Sequence, residues 1–458
     1  MIRQHGEIRA ATIAENLYQR YDDPRLEIQE DLRRILYGPH RFLHGRLLES
    51  VIHFALTLAR MGRSIALVTP NYDDYLYDEL VTGITKLQAT SSEPSDVPTT
   101  SLIVVDDDSA LPTEWCSNKG ILCVYMHGYV PRAPGTPVGM PILGEADYFG
   151  SYRRSLALLK AMFEGRNVLM VGSSVTDGPL VNALLATKQA SKDGESLRRV
   201  ALLPLQGQEW NEAPPSSRDQ LARWNSERLT YLNVTPIYPD FYIQSGQFLH
   251  EVQRCLKFGD GNSMTEMVSP RRYGSRLVDW WRTWFEDNCR TSGPQAQHHE
   301  LLNRACGVIR EAIGAPLEES LKLEVWVRWR PDSERTLALW ASSVGTWPDL
   351  HSMRSDQINP DSDYKSVQVF CAGAPLFLDE EKSAQTRWRS YLGVPIWLDR
   401  AEGQVPVGVV SLASLKKSAS GSVGLHNLAA LDMAIDRMRK VGRVIVDGGD
   451  PTDALVEG

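Results

Sequence analysis

Three apolar runs in the first half of the chain end on residues able to do chemistry. Ile65 to Val68 is followed by Thr69-Pro70-Asn71-Tyr72-Asp73-Asp74, Ile121 to Met126 by His127-Gly128, and Val168 to Val171 by Gly172-Ser173-Ser174. An amide and carboxylates can orient polar groups of a ligand. An imidazole can accept or relay a proton near neutral pH, and a glycine beside it lets a ligand approach the backbone. A small-residue turn before a helix offers backbone amides and hydroxyls to ribose or phosphate, at the helix end that favours negative charge. Each segment also has a plainer reading. Asp73 or Asp74 can cap the next helix while Asn71 makes a turn, a strand-end histidine can be structural, and many turns from strand to helix contain Gly-Ser-Ser.

The elements that must position these residues follow from the apolar pattern. Six short β-rich runs alternate with helical stretches: Ile65 to Val68, Leu102 to Val105, Ile121 to Met126, Val168 to Val171, Val200 to Leu205 and Val234 to Tyr238. This is the pattern of an α/β, Rossmann-like, doubly wound and mostly parallel sheet, whose ligands bind at the carboxyl ends of the strands. Polar residues 259–275, broken by glycine and proline, read as a linker. Nine of the twelve tryptophans lie after it, so a second core of different construction is expected.

In that second half, Leu277, Trp281 and Trp284 share a helical face, and another helix is expected at about 296–313. Leu321 to Arg330 alternates as a strand, and Thr336 to Ala341, Val367 to Phe370, Tyr391 to Leu398 and Val407 to Leu412 continue the β character. A helix over about 423–440 closes the pattern of an α+β fold with a mainly antiparallel sheet. The expected division is 1–258, a linker at 259–275, a second domain at 276–446 and a tail at 447–458.

Bulk properties narrow the function class. With 458 residues, 42% hydrophobic and 23% charged, the chain has enough apolar material for two or three packed domains. A net charge of −8 gives no overall attraction to phosphate backbones, so nucleic acid is not indicated as a partner. The six cysteines include no Cys-x-x-Cys pair and no zinc-ribbon spacing, and read as reduced thiols. No stretch has the roughly 18 to 20 apolar residues of a membrane span, and the first twenty residues carry charges, so a cytoplasmic protein without membrane partners is expected.

In their order and residue types, the three strand ends resemble the SIR2 family, and in particular the SIR2-like domains of bacterial defence proteins, over about residues 10–258. Gly144-Glu145-Ala146-Asp147-Tyr148-Phe149 and the turn through Asp177-Gly178-Pro179 are similar to the same branch. The resemblance implies that Asn71 positions ribose and water, Asp73 meets the nicotinamide carboxamide and His127 acts as base on the ribose hydroxyls. Thr69, Gly172, Ser173 and Ser174 would contact NAD. The reaction implied is cleavage of the nicotinamide N-glycosidic bond, in which a positive oxocarbenium-like centre needs stabilising while nicotinamide leaves as a neutral molecule.

The chain departs from the family in two places. The paired cysteines of zinc-binding sirtuin deacylases are missing, which argues against protein deacetylation and a zinc site. The opening Gly-Ala-Gly-x-Ser loop is not found either, since residues 1–36 offer only Gly6, and Ala10 to Leu17 and Leu26 to Leu36 read as charged amphipathic helices. In the family that loop follows a central strand. Its loss would leave strand edges unpaired inside the core, at about 1 kcal/mol per lost hydrogen bond plus lost burial. Two expectations follow: a chain starting downstream of its natural beginning, or a rearranged sheet with impaired NAD binding.

The second half resembles a GAF domain over about 276–446, through Gly373-Ala-Pro375-Leu-Phe-Leu-Asp379, Tyr391-Leu-Gly393-Val394-Pro395-Ile396 and Val407-Gly408-Val409-Val410-Ser411-Leu412. That resemblance implies either a small-molecule pocket or a dimerisation unit, and no bilin or haem ligand is assignable. The combined expectation is an NAD+ hydrolase effector of anti-phage defence governed by a GAF-like sensor, with NAD and a second copy or partner protein as its partners. The other reading is a non-catalytic subunit that binds NAD or ADP-ribose.

Overall fold

A computed structural model describes residues 24–37, 45–90, 97–105, 120–133, 142, 145–173, 175–188, 198–204, 215–239, 241–258, 273–289, 293–331, 334–346, 352–379, 387–400, 403–416, 425, 428–449 and 451–455. They form two compact units, one of residues 1–41 and 51–240, the other of 42–50 and 241–458. The second unit thus takes in Phe42–Ser50 and the helix Tyr242–Phe258, both within the 1–258 span that the sequence pattern assigns to the first domain. Ser174 and the Ala10 to Leu17 segment lie outside the described residues, as does most of the expected linker.

The first unit contains all six expected strands: β1 (Ile65–Thr69), β2 (Thr99–Val104), β3 (Gly120–Tyr125), β4 (Val168–Val171), β5 (Arg199–Leu202) and β6 (Thr235–Ile237). Every pairing among them is parallel. The sequence pattern predicts one sheet, but the strands form two, in the orders β1-β3-β2 and β4-β5-β6. Among the described residues no strand bridges them.

Composition distinguishes the edges of these sheets. β2 opens with Thr99-Thr100-Ser101 and β6 carries Pro236, the polar and proline-bearing character of strands built for an edge. β1 (Ile-Ala-Leu-Val-Thr) and β4 (Val-Leu-Met-Val) read instead as inner strands of a parallel sheet. Among the described residues both are edges, and Val68 and Leu169 stand 36% and 38% exposed.

The crossover helices are α3 (Tyr75–Thr90), α4 (Glu145–Phe163), α5 (Gly178–Thr187) and α6 (Pro215–Tyr231); α1 (Pro24–Tyr37) and α2 (Arg46–Arg60) precede β1. One apolar cluster joins both sheets to α4, α5 and α6 through Leu122, Val124, Met126, Met162, Met170, Leu184, Ala201 and Leu229.

The second unit is built on a continuous antiparallel sheet in the order β10-β11-β12-β7-β8-β9. Its strands are β7 (Leu321–Trp329), β8 (Thr336–Ser342), β9 (Ser355–Gln357), β10 (Leu376–Asp379), β11 (Ser390–Arg400) and β12 (Gly403–Ser414). Helices α8 (Tyr273–Cys289), α9 (Pro294–Ile313) and α11 (Leu428–Asp447) cover one face, with α7 (Tyr242–Phe258) before them and α12 (Pro451–Leu455) after. Trp281 and Trp284 pack on Trp329 and Trp340, and the indole nitrogens of Trp280 and Trp284 donate to Val446 O and Ile445 O, each at 2.9 Å. The aromatic payload of this half is therefore core.

Val367 to Phe370, expected as a strand, lies in α10 (Lys365–Ala372) on the opposite face of the sheet. The helix ends on left-handed Gly373, whose N–H reaches back to Val369 O and Phe370 O, and it buries Val367, Val369 and Phe370. That burial overrides the β preference of Val-Gln-Val-Phe. Gly408 is required for its size: a methyl group there would overlap the Trp326 carbonyl oxygen of the neighbouring strand.

Candidate functional site

Hydrogen bonds lock the carboxyl ends of β1 and β3 side by side. Thr69 pairs with Tyr125 in the ladder, and Met126 N donates to Thr69 O at 2.9 Å. Asn71 and His127 therefore occupy equivalent places, each two residues beyond that last pair. Thr69 is buried, and its hydroxyl oxygen accepts the Asn71 N–H at 3.1 Å, fixing the turn and leaving Asn71 exposed.

The two aspartates that follow have different work. Asp73 Oδ1 accepts the Tyr75 N–H at 3.2 Å, so it caps α3, and burial pushes its carboxyl pKa up. Asp74 accepts the backbone N–H of Arg132 at 2.7 Å and its guanidinium at 3.0 Å. The Arg132 guanidinium lies 5.5 and 5.0 Å from the centres of the Tyr37 and Tyr75 rings. Tyr37 Oη accepts from Asp74 N and donates to Val130 O, both at 2.7 Å. This cluster ties α1, α3 and the loop after β3 into one frame, a role that sequence reasoning left unassigned.

His127 stands at the end of β3, whose residues are almost wholly buried because the strand is the middle of its sheet. Its carbonyl accepts Ile142 N at 2.8 Å, and Ile142 O in turn accepts the Tyr72 hydroxyl at 2.5 Å. Gly128, at φ +101°, turns the chain in a region closed to most side chains. The imidazole Nδ1 is buried and makes no hydrogen bond among the described residues. Burial lowers the pKa of the ring, partly opposed by the charge of Asp177.

The turn after β4 is held from several directions. Gly172 takes φ +69°, and Ser173 Oγ accepts Val175 N at 3.3 Å. Val175, at φ +54°, adopts a conformation rare for a β-branched residue; it is fully buried, and its carbonyl accepts Arg228 Nη1 at 2.7 Å. Asp177 caps α5 through Leu180 N at 3.2 Å, and its other oxygen accepts the Tyr148 hydroxyl at 3.1 Å. The Tyr148 ring centre lies 6.2 Å from that of His127. Burial, followed by the Asp177 charge, pushes the Tyr148 phenol pKa up to about 12.

The structure thus joins His127 to Tyr148 and Asp177, and sets Thr69, Asn71 and Asp73 on the neighbouring strand end. Gly172 and Ser173 lie four to five residues before Asp177 in the same turn. Tyr148 and Asp177 stood only in runs similar to the defence-type branch; the local signal for Asp177 was an aspartate before Gly-Pro, a helix-start pattern. Among the described residues no group of three or more histidines, cysteines or acids could hold a metal, and no helix is long and apolar enough to cross a membrane.

A family model described as SIR2-like domain matches residues 65–232, from the first residue of β1 to just past α6. Residues 65–232 are a SIR2-like domain. Every residue singled out at the three strand ends lies inside that match, and it indicates NAD-related function for this part of the chain. The SIR2-like domain is mixed α/β with parallel sheets. No curated protein matches the chain.

Proposed function

We propose that the SIR2-like domain hydrolyses NAD+ to ADP-ribose and nicotinamide. The observation that carries this reading is the place of His127, at the end of β3 beside the strand end that carries Asn71 and with its ring next to Tyr148, whose hydroxyl bonds Asp177; burial favours its neutral, proton-accepting form. The bond between ribose C1′ and the nicotinamide nitrogen breaks, and its electron pair leaves with nicotinamide. Water adds at C1′, and its proton passes to His127 and then to solvent. Asn71, exposed at the neighbouring strand end, orients ribose and water, and Asp73 meets the carboxamide. Thr69, Gly172 and Ser173 are assigned to cofactor contact, and the resemblance extends that assignment to Ser174.

The second unit is read as a GAF-like regulatory domain, from its antiparallel sheet with helices on one face and α10 on the other. A small molecule, a second copy or a partner protein would act through it, and anti-phage defence in the cytoplasm is the proposed setting. A second reading takes up the two three-stranded sheets, which no strand joins among the described residues: a subunit that binds NAD or ADP-ribose without turning it over.

Nicotinamide release from NAD+ by the purified chain, alone and with candidate activators, separates the two. Turnover that falls at least about a hundredfold in His127→Ala and Asn71→Ala, with unchanged circular dichroism, is expected for the hydrolase. ADP-ribose binding without nicotinamide release under any trigger would establish the second reading instead.

A further inference from the structure

We propose that Asp177 and Tyr148 are positioning residues for His127: the phenol fixes the carboxylate beside the imidazole, where its charge acts on the ring as it takes up a proton. The inference rests on the hydrolase reading for its catalytic consequence but not for its geometry.

Three features support this. Asp177 divides its oxygens between α5, through Leu180 N, and α4, through the Tyr148 hydroxyl. It is fixed at both ends, as a group that tunes a neighbour must be. Tyr148 bonds this carboxylate through its hydroxyl, and its ring centre lies 6.2 Å from that of His127 with the rings tilted 49°. Gly178, the next residue, leaves room for this arrangement: a methyl group there would stand 3.4 Å from the Tyr148 hydroxyl and 3.0 Å from the Tyr152 ring.

The surroundings of His127 single out Asp177. From the turn after β4 comes the Asp177 carboxylate, and from α4 the Tyr148 phenol. The acids of the loop after β1 are already engaged, Asp73 with Tyr75 N and Asp74 with Arg132. Asp177 is the charged side chain that acts on the ring among the described residues, and it opposes the burial that would otherwise make the imidazole a weaker base. In the reaction proposed above, that opposition offsets part of the cost of the imidazolium.

The test follows the His127 ring by 15N NMR in the full chain, assigned among the ten histidines by the signal lost in His127→Gln. Asp177→Asn is the decisive variant, because asparagine caps a helix as well as aspartate does while removing the charge. The His127 pKa is expected to fall by about half a unit or more. The acidic limb of nicotinamide release should move to lower pH with it, and kcat should drop more than KM changes. Tyr148→Phe, which frees the carboxylate to rotate away, should lower the His127 pKa by a smaller amount. A His127 titration unchanged in Asp177→Asn would overturn the proposal, even if turnover were lost. A shifted titration in a chain that releases no nicotinamide would retain the positioning roles and remove the hydrolase reading.

Discussion

The two units solve the pairing of strands in opposite ways. In the second, β10-β11-β12-β7-β8-β9 is one uninterrupted ladder, and β7 and β12 have partners on both sides. In the first, the same number of strands is divided into two parallel sheets, and the apolar strands β1 and β4 each have one described partner. Continuous pairing serves a core that need not open. Divided pairing leaves backbone edges close to the strand ends that carry the candidate chemistry.

Hydrogen exchange gives the largest contrast. Amides of β7 and β12 should exchange only through global opening, and those of β1 and β4 at least about a hundredfold faster, through local opening. Equal protection would show that β1 and β4 are paired in solution. Next in size is Trp284→Ala, which removes an indole packed on Trp281, Trp329 and Trp340 and bonded to Ile445 O. A loss of about 3–5 kcal/mol is expected in chemical denaturation followed by tryptophan fluorescence.

A third measurement uses acid. Burial drops the His298 pKa to about 4, and its Nδ1 accepts the Trp340 indole N–H at 2.8 Å, which requires the neutral ring. The folded pKa lies below the unfolded value, so below about pH 6.5 the unfolded chain binds the proton more readily. Stability is complete above that pH and declines as pH falls towards 4, by on the order of 3 kcal/mol in all. His298→Leu should flatten the decline. The smallest effect is expected in the first unit, where Arg132→Ala should cost about 1–3 kcal/mol by leaving part of Asp74 unpaired. The same change should also loosen α1, read as faster exchange of its amides.

Much of this was legible in the chain. Apolar runs such as Ile121 to Met126 and Val168 to Val171 are too short and too β-branched to be helices, and each is a strand. The antiparallel character of the second half was readable from Leu323, Val325 and Val327, which alternate onto one core face. Val367 to Phe370 was misread because a β-branched run does not reveal the capping glycine's effect or the sheet face waiting to cover it. At the site, the strand ends stood out because carboxyl-terminal edges of parallel strands collect polar residues. The link between Tyr148 and Asp177 did not, since it spans 29 residues and depends on how α4 crosses to β4. The division into two sheets was equally hidden, because strand composition predicts pairing without saying which neighbour is present.

The contrast between polar and apolar edges has a consequence for handling the molecule. An unpaired, apolar strand edge is a template that another chain can copy, whereas Pro236 and the Thr99-Thr100-Ser101 run stop such copying at the far sides. Where β1 and β4 stay without a second partner, as among the described residues, self-association is expected to be asymmetric and seated at those two strands, where Val68 and Leu169 are exposed. Turbidity that rises with concentration and recedes when Leu169 is replaced by lysine would trace to those edges.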